Sequence, residues 1–320
     1  MKVSGLVIAA VAAALTIPSA QALEKVKVAT TSLGLWDTSQ PAFCQERGEF
    51  AKAGLDVEVS STRGGSENVQ AVVAGGLDIG FSPGIDAVIA AYAHGHKLKI
   101  VSSEGIGQDE NFFYVPAASP IKSMADLNGK TVAFSRPGGA TEAVLLDFKN
   151  EHKLDIRPKA TGAMDATFTM VMTGQIDVGY AFPPSMLDQV AAGKIRVLFT
   201  GADVAKLKEV SGRVIIARGD YLKQHRDTVR KFLEVLDRCI DWSYAHPTDA
   251  AAMYGKMNKV SPDVAEKGIA FYPREALRFG PLLSLDYVMQ RATSAKFIDK
   301  PLSDEQVKDL VDIVYTTPKS

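Results

Sequence analysis

Residues 80–84 read Gly80-Phe81-Ser82-Pro83-Gly84 and fit G-x-S-x-G, the spacing with which serine hydrolases raise a nucleophile on a strand-to-helix turn. The chemistry fails one residue later. The oxyanion hole of such an elbow uses the N–H of the residue after the serine, and here that residue is Pro83, which has none. Losing one oxyanion donor costs about 10²–10³-fold in rate. No histidine context marks a general base, although His152, His225 and His246 stand elsewhere in the chain. "HGH" at His94 and His96 lacks the i, i+4 spacing of a helical zinc pair. "NGKT" (128–131) has methionine at the place of the first P-loop glycine and precedes a strand pattern instead of following one. Neither a metal nor a cofactor is expected.

The remaining chemistry lies in loops of small residues, "TTSLGLW" (30–36), "TRGGSEN" (62–68), "FSPGID" (81–86), "SRPGGATE" (135–142), "TGAMDA" (161–166) and "YAFPPS" (180–185). Each joins a β-rich run to a helical pattern, so each places helix N-terminal N–H groups beyond the end of a strand, where open α/β sheets take their ligands. In "SRPGGATE", Gly138 and Gly139 let a ligand approach the backbone, Thr141 adds a hydroxyl and Arg136 a charge. "TRGGSEN" repeats that composition. Trp36, Phe81, Tyr180 and Phe182 stand at loop mouths, where they could wall an organic ligand or simply pack the lobes.

The elements that position these loops come in two copies. Displaced by 99 residues, "LDVEVSSTRGGSENVQAVVAGGLDIGF" lies over "LDIRPKATGAMDATFTMVMTGQIDVGY" without a gap, with Leu55/Leu154, Thr62/Thr161, Gly75/Gly174, Asp78/Asp177 and Gly80/Gly179 among the identities. Ala181 takes the place of Ser82 in the second copy, a further argument against a nucleophile. Each half reads β–loop–α–β–loop–α–β, the grammar of a parallel sheet wound with helices. The third section does not repeat. It predicts a strand near Val214–Ala217, then helices in "RDTVRKFLEVLDRCIDWSYAH" and "SDEQVKDLVDIVY", the last begun by a Ser303/Gln306 capping box.

Lys2, the apolar run Val3–Ile17 and Ala20-Gln21-Ala22 form a basic, apolar and small-residue series expected of a secretory signal peptide at 1–22. A net charge of −1, or −2 without Lys2, gives no reason to expect nucleic acid as partner. An exported compartment would permit Cys44 and Cys239 to pair, but their spacing leaves pairing open.

Three stretches, "AVVAGGLDIGFSPGIDAVIAAYAHGHKLKIV", "SPIKSMADLNGKTVAFSRPGGATEAVLL" and "VMTGQIDVGYAFPPSMLDQVAAGKIRVL", together resemble the periplasmic solute-binding proteins of ABC importers. The similarity is to the taurine/alkanesulfonate/nitrate-binding group that includes thiamine-precursor binders. "YLKQHRDTVRKFLEVLDRCIDWSYAHPTDAA" is similar to that family's C-terminal helices. The resemblance implies a type II periplasmic binding fold, α/β, with two lobes joined by two crossover segments. Lobe 1 would comprise 23–106 and 205–320, and lobe 2 would comprise 107–204. It implies a periplasmic monomer, not an enzyme, that captures a small anionic solute by lobe closure and hands it to a membrane permease. The family's pocket, carried onto this sequence, falls on Ser32, Leu33 and Trp36, on Gly65 and Ser66, and on Ser82 and Pro83. Across the cleft it falls on Arg136, Gly139, Ala140, Thr141, Asp165 and Phe182. Arg213 reads either as a ligand-facing hinge residue or as a surface salt-bridge partner. Two other readings of the same fold are an enzyme of thiamine or menaquinone biosynthesis type and a ligand sensor for a signalling partner.

Overall fold

The computed structural model describes residues 23–318; the expected leader at 1–22 lies outside the described residues. The strands are β1 (Glu24–Thr30), β2 (Leu55–Ser61), β3 (Ile79–Gly84), β4 (Leu98–Glu104), β5 (Phe112–Pro116), β6 (Thr131–Phe134), β7 (Arg157–Ala160), β8 (Gly179–Ala181), β9 (Ile195–Thr200), β10 (Arg213–Arg218) and β11 (Phe279–Gly280). The helices of the two copies and the segment between them are α1 (Gln40–Glu46), α2 (Glu49–Lys52), α3 (Gly65–Val73), α4 (Ile85–Ala93), α5 (Ala140–Glu151), α6 (Met164–Met172) and α7 (Leu187–Ala191). The C-terminal section adds α8 (Gly219–Gln224), α9 (Arg226–Ala245), α10 (Pro247–Asn258), α11 (Pro262–Ile269), α12 (Leu285–Ser294) and α13 (Asp304–Leu310).

Three sheets organise two α/β lobes, a six-stranded one in the first and a three-stranded and a two-stranded one in the second. The first has the order β11-β4-β10-β3-β1-β2. In it β1 pairs in parallel with β2 and β3, while β10 runs antiparallel to β3 and β4. In the second lobe β5 pairs antiparallel with β8 and β9, β6 pairs in parallel with β7, and a parallel Val132–Val178 bridge joins β6 to β8. β6 therefore lies between β7 and β8 as β1 lies between β2 and β3. The repeat in the sequence is a repeat in space: α3 and α6 occupy the same positions of the two copies, Gly65–Val73 and Met164–Met172. Burial follows the pairing. β3 is central and buried throughout, whereas the edge strand β2 alternates over its first residues, with Leu55 and Val57 inward and Asp56 and Glu58 outward.

The unrepeated section completes the first lobe. α9 buries an apolar stripe that includes Val229, Phe232, Leu233, Leu236 and Ile240 against β1 and β2 residues such as Val26 and Val57. Cys44 of α1 and Cys239 of α9 form a disulfide, with Cα atoms 5.7 Å apart, which resolves the pairing the sequence leaves open. Pro247 stands at the first position of α10, where its missing N–H costs nothing. The Ser303/Gln306 capping box forms, with Ser303 N–H donating to Gln306 Oε1 at 2.9 Å. The helix it starts is shorter than its sequence pattern, however. It stops at Leu310, and β-branched Val311 and Val314 continue along β4, with Val314 N–H donating to Val101 O at 3.0 Å.

Candidate functional site

The parallel strands of both lobes end at one cleft of about 360 Å³ between the lobes, a size suited to a small molecule. β1 delivers Ser32 and Leu33 to it, β2 delivers Arg63, Gly64 and Gly65, and β3 delivers Ser82 and Gly84. The second lobe supplies Ser135, Arg136, Gly139, Ala140 and Thr141 after β6, Met164 after β7, and Tyr180 and Phe182 after β8. Helices α3, α4, α5 and α6 thus all begin at the cleft wall. Their first-turn N–H groups have no intrahelical acceptor, and their dipoles put partial positive charge there.

The lobes touch along this seam. A Cβ at Gly84 would lie 2.9 Å from both Ala140 N and Gly138 O, so only glycine permits the backbones of β3 and the β6–α5 loop to meet. Gly138, at φ +73°, makes the turn on the facing side. Arg136 Nε donates to Arg63 O at 2.5 Å, and Ser66 Oγ donates to Pro137 O at 2.6 Å. Each bond crosses from one lobe to the other. Thr141 is held in place by Ser135, whose N–H donates to its Oγ1 at 2.9 Å and whose hydroxyl stands 2.7 Å away.

At the hinge end the cleft floor is a buried charge cluster. Ser82 has φ +70°, a left-handed conformation that non-glycine residues rarely hold, and its hydroxyl donates to Glu104 Oε2 at 2.9 Å. The same oxygen accepts from Arg213 Nε at 3.1 Å, and Arg213 Nη2 reaches Glu110 Oε1 at 2.6 Å. Asp37 Oδ2 lies 2.5 Å from Nη2 but out of line for a hydrogen bond. Burial pushes the Glu104 carboxyl up to about 8, helped by the charges of Asp37 and Glu110 and opposed by Arg213. Burial likewise raises Glu110. Burial pulls Arg213 down, but its three carboxylates outweigh this and hold it charged. Since Glu104 and Glu110 end and follow β4 while Arg213 opens β10, the cluster ties the two crossovers together. Arg213 is therefore neither of the sequence alternatives alone: it lines the cleft and is also consumed by ion pairing, in the interior instead of at the surface.

Several sequence-selected residues lie elsewhere. Trp36 is fully buried in the first lobe, donating Nε1–H to Tyr244 Oη at 3.1 Å and packed edge-on against Phe43 and Tyr254. Phe81 is buried in the same core. An aromatic ring buries more apolar area in a core than at a cleft wall, and these two do so; Tyr180 and Phe182 line the cleft. Pro83 packs behind Gly65, Ser66 spends its hydroxyl across the seam, and Asp165 is exposed on the first turn of α6, clear of the cleft lining. The acids that do matter, Asp37, Glu104 and Glu110, carry no motif, because the β1–α1 loop, the end of β4 and the segment before β5 meet Arg213 of β10 only in the folded chain. Among the described residues lining the cleft there is no histidine to act on Ser82. A larger hollow of about 510 Å³ lies outside the cleft between α3 and α4, but it receives only Pro137 and Gly138 from the second lobe.

Known proteins share this architecture. The aliphatic sulphonate binding protein SsuA of Escherichia coli superposes with a TM-score of 0.73 at 19% identity, covering 93% of this chain and 94% of that one. SsuA of Xanthomonas axonopodis pv. citri, whose structure holds MOPS, gives a TM-score of 0.73 at 19% identity over 91% and 98%. At that identity the likeness establishes the fold, two α/β lobes of the type II periplasmic binding architecture. YtlA of Bacillus subtilis, classed by its name as a binding protein, is 27% identical over 270 residues, 80% of this chain and 77% of its own. The model of the family described as NMT1/THI5 like matches residues 42–250, well over half of the sequence. The chain belongs to the NMT1/THI5-like family.

Proposed function

We propose that this protein is the solute-capturing component of an ABC importer, exported from the cytoplasm, which closes its two lobes on a small anionic organic molecule and passes it to a membrane permease. The observation that carries the reading is the convergence of four helix N-termini, two from each lobe, with Arg63 and Arg136 on one cleft. Such termini attract anionic groups. Because half the donors come from each lobe, closure is driven by a ligand that touches both, and only the difference in affinity between open and closed forms moves the equilibrium.

The anionic end of the ligand belongs at these termini and not at the hinge. Arg213 is already balanced by Glu104, Glu110 and Asp37, so the floor offers no free positive charge. Phe182 and Tyr180 provide an apolar wall for an organic body. Export is supported by the residue series at 1–22 and by the disulfide, which forms in oxidising compartments. The relatives' names point to binding rather than catalysis, and the Ser82 hydroxyl is spent donating a hydrogen bond to Glu104.

A thermal-shift screen of the mature chain against taurine, methanesulfonate, nitrate, benzoate and aminopyrimidines tests the reading. A true ligand at 100-fold over Kd stabilises by about 2.7 kcal/mol. No shift from any anion, together with turnover of a generic ester, would overturn it.

A further inference from the structure

A second buried arginine sits outside the cleft, and it joins three elements that the chain keeps far apart. Arg291 of α12 donates from Nε and Nη2 to Asp86 of α4 at 3.2 and 2.6 Å, and from Nη1 to Asp147 of α5 at 2.8 Å. Tyr287, one turn earlier on α12, donates its hydroxyl to the other Asp147 oxygen at 2.6 Å. Asp86 and α12 belong to the first lobe and Asp147 to the second. All three charged residues are at most 5% exposed, and none lines the cleft. α12 starts on the hinge itself, where Ser284 Oγ donates to Glu209 O at 2.9 Å and Leu283 N–H to Ser211 Oγ at 3.0 Å.

We propose that Asp86–Arg291–Asp147 is an interlobe latch: Arg291, fixed to the first lobe by Asp86, captures Asp147 when the lobes close and so sets how readily the cleft closes. The proposal rests on the lobe-closure reading above. The arrangement suits a reversible catch. On opening, α5 carries Asp147 back to water while Arg291 keeps Asp86, so no charge is stranded. On closing, the cost of drying Asp147 offsets most of what its ion pair and the Tyr287 bond return. The net bias is small, which leaves the equilibrium within reach of a ligand. The triad coexists with the cross-cleft bonds Arg136–Arg63 and Ser66–Pro137, so it belongs to the closed arrangement.

The test uses the mature chain with no solute added, comparing wild type with Asp147→Asn, Tyr287→Phe and, as a control within one lobe, Asp86→Asn. Small-angle scattering and amide hydrogen exchange are the readouts. The latch requires that Asp147→Asn enlarge the radius of gyration and that amides at 63–66 and 136–141 exchange about tenfold faster or more, while β1 and β6 stay protected. Tyr287→Phe should show the same change to a smaller degree, and Asp86→Asn should leave the scattering unchanged. Unaltered scattering and exchange in Asp147→Asn, or equal opening by Asp86→Asn, would overturn the latch and leave the triad as packing. Since no solute enters these measurements, a latch that opens in a protein that binds none of the screened anions stands while the receptor reading falls. A protein that binds an anion but does not open on Asp147→Asn has the reverse outcome.

Discussion

Two buried arginines hold this molecule together in opposite ways. Arg213 faces three carboxylates at the cleft floor, all within elements that meet at the hinge; Arg291 faces two, one from each lobe, on the flank. The first cluster has more acid than base and keeps a raised carboxyl, Glu104, in place. In the second, by the latch proposed above, Asp147 leaves with α5. An arginine whose partners all meet at the hinge is part of the hinge, whereas one whose partners come from two lobes away from the hinge can act as a joint. Burial alone does not tell them apart; where each carboxylate stands relative to the hinge does.

Substitution should separate the two. The largest effect is expected for Arg213→Met, which leaves three buried carboxyl groups without their cation and should cost about 3–5 kcal/mol of folding stability by urea unfolding. Arg291→Met should cost less, about 3 kcal/mol, because only Asp86 is stranded while Asp147 regains water if the lobes part. A loss for Arg291→Met as large as that for Arg213→Met would erase the contrast between hinge and joint.

pH offers a finer test. The Glu104 carboxyl is raised from 4.5 to about 8 by burial first and by Asp37 and Glu110 after it. A raised carboxyl binds its proton more tightly folded than unfolded, so this contribution is complete below about 4.5 and fades as pH rises through about 8. Melting temperature should therefore fall from pH 5 to pH 8.5, and Glu104→Gln should flatten that slope. An unchanged slope would mean that the cluster holds no proton. The smallest effect is expected of Ser82→Ala, which removes one hydroxyl bond and should weaken solute binding by about 0.5–1.5 kcal/mol by calorimetry. A complete loss of binding would make the serine an anchor instead of a support for Glu104.

The fold was legible because its signals are local or repeated. The 99-residue echo marks two copies of one unit, and the glycine loops at 64–65 and 138–139 mark strand ends whose helices begin at the cleft. Side-chain direction was not legible. Trp36 and Phe182 occupy similar loop positions, yet Trp36 turns into a core formed by α9 and α10, elements more than 180 residues away, and Phe182 turns into the cleft. Asp37, Glu104 and Glu110 were invisible for the same reason. Nothing in their neighbours along the chain marks them, and only the folding of the β1–α1 loop, the end of β4 and the segment after it against β10 brings them to Arg213. Val311–Tyr315 shows the limit at short range: a helical period continued past Leu310, and an open strand edge at β4 took the chain instead.

The Cys44–Cys239 bond lies wholly within the first lobe, yet the 195 residues it spans contain the entire second lobe and both crossovers. Covalently, the second lobe is a bight tied off at its neck. The knot leaves hinge motion free, because both its ends ride on the same body. It also means that a protease cutting any exposed turn of the second lobe releases nothing: the two pieces travel as one molecule and part only after reduction, a difference that gels run with and without thiol would display directly.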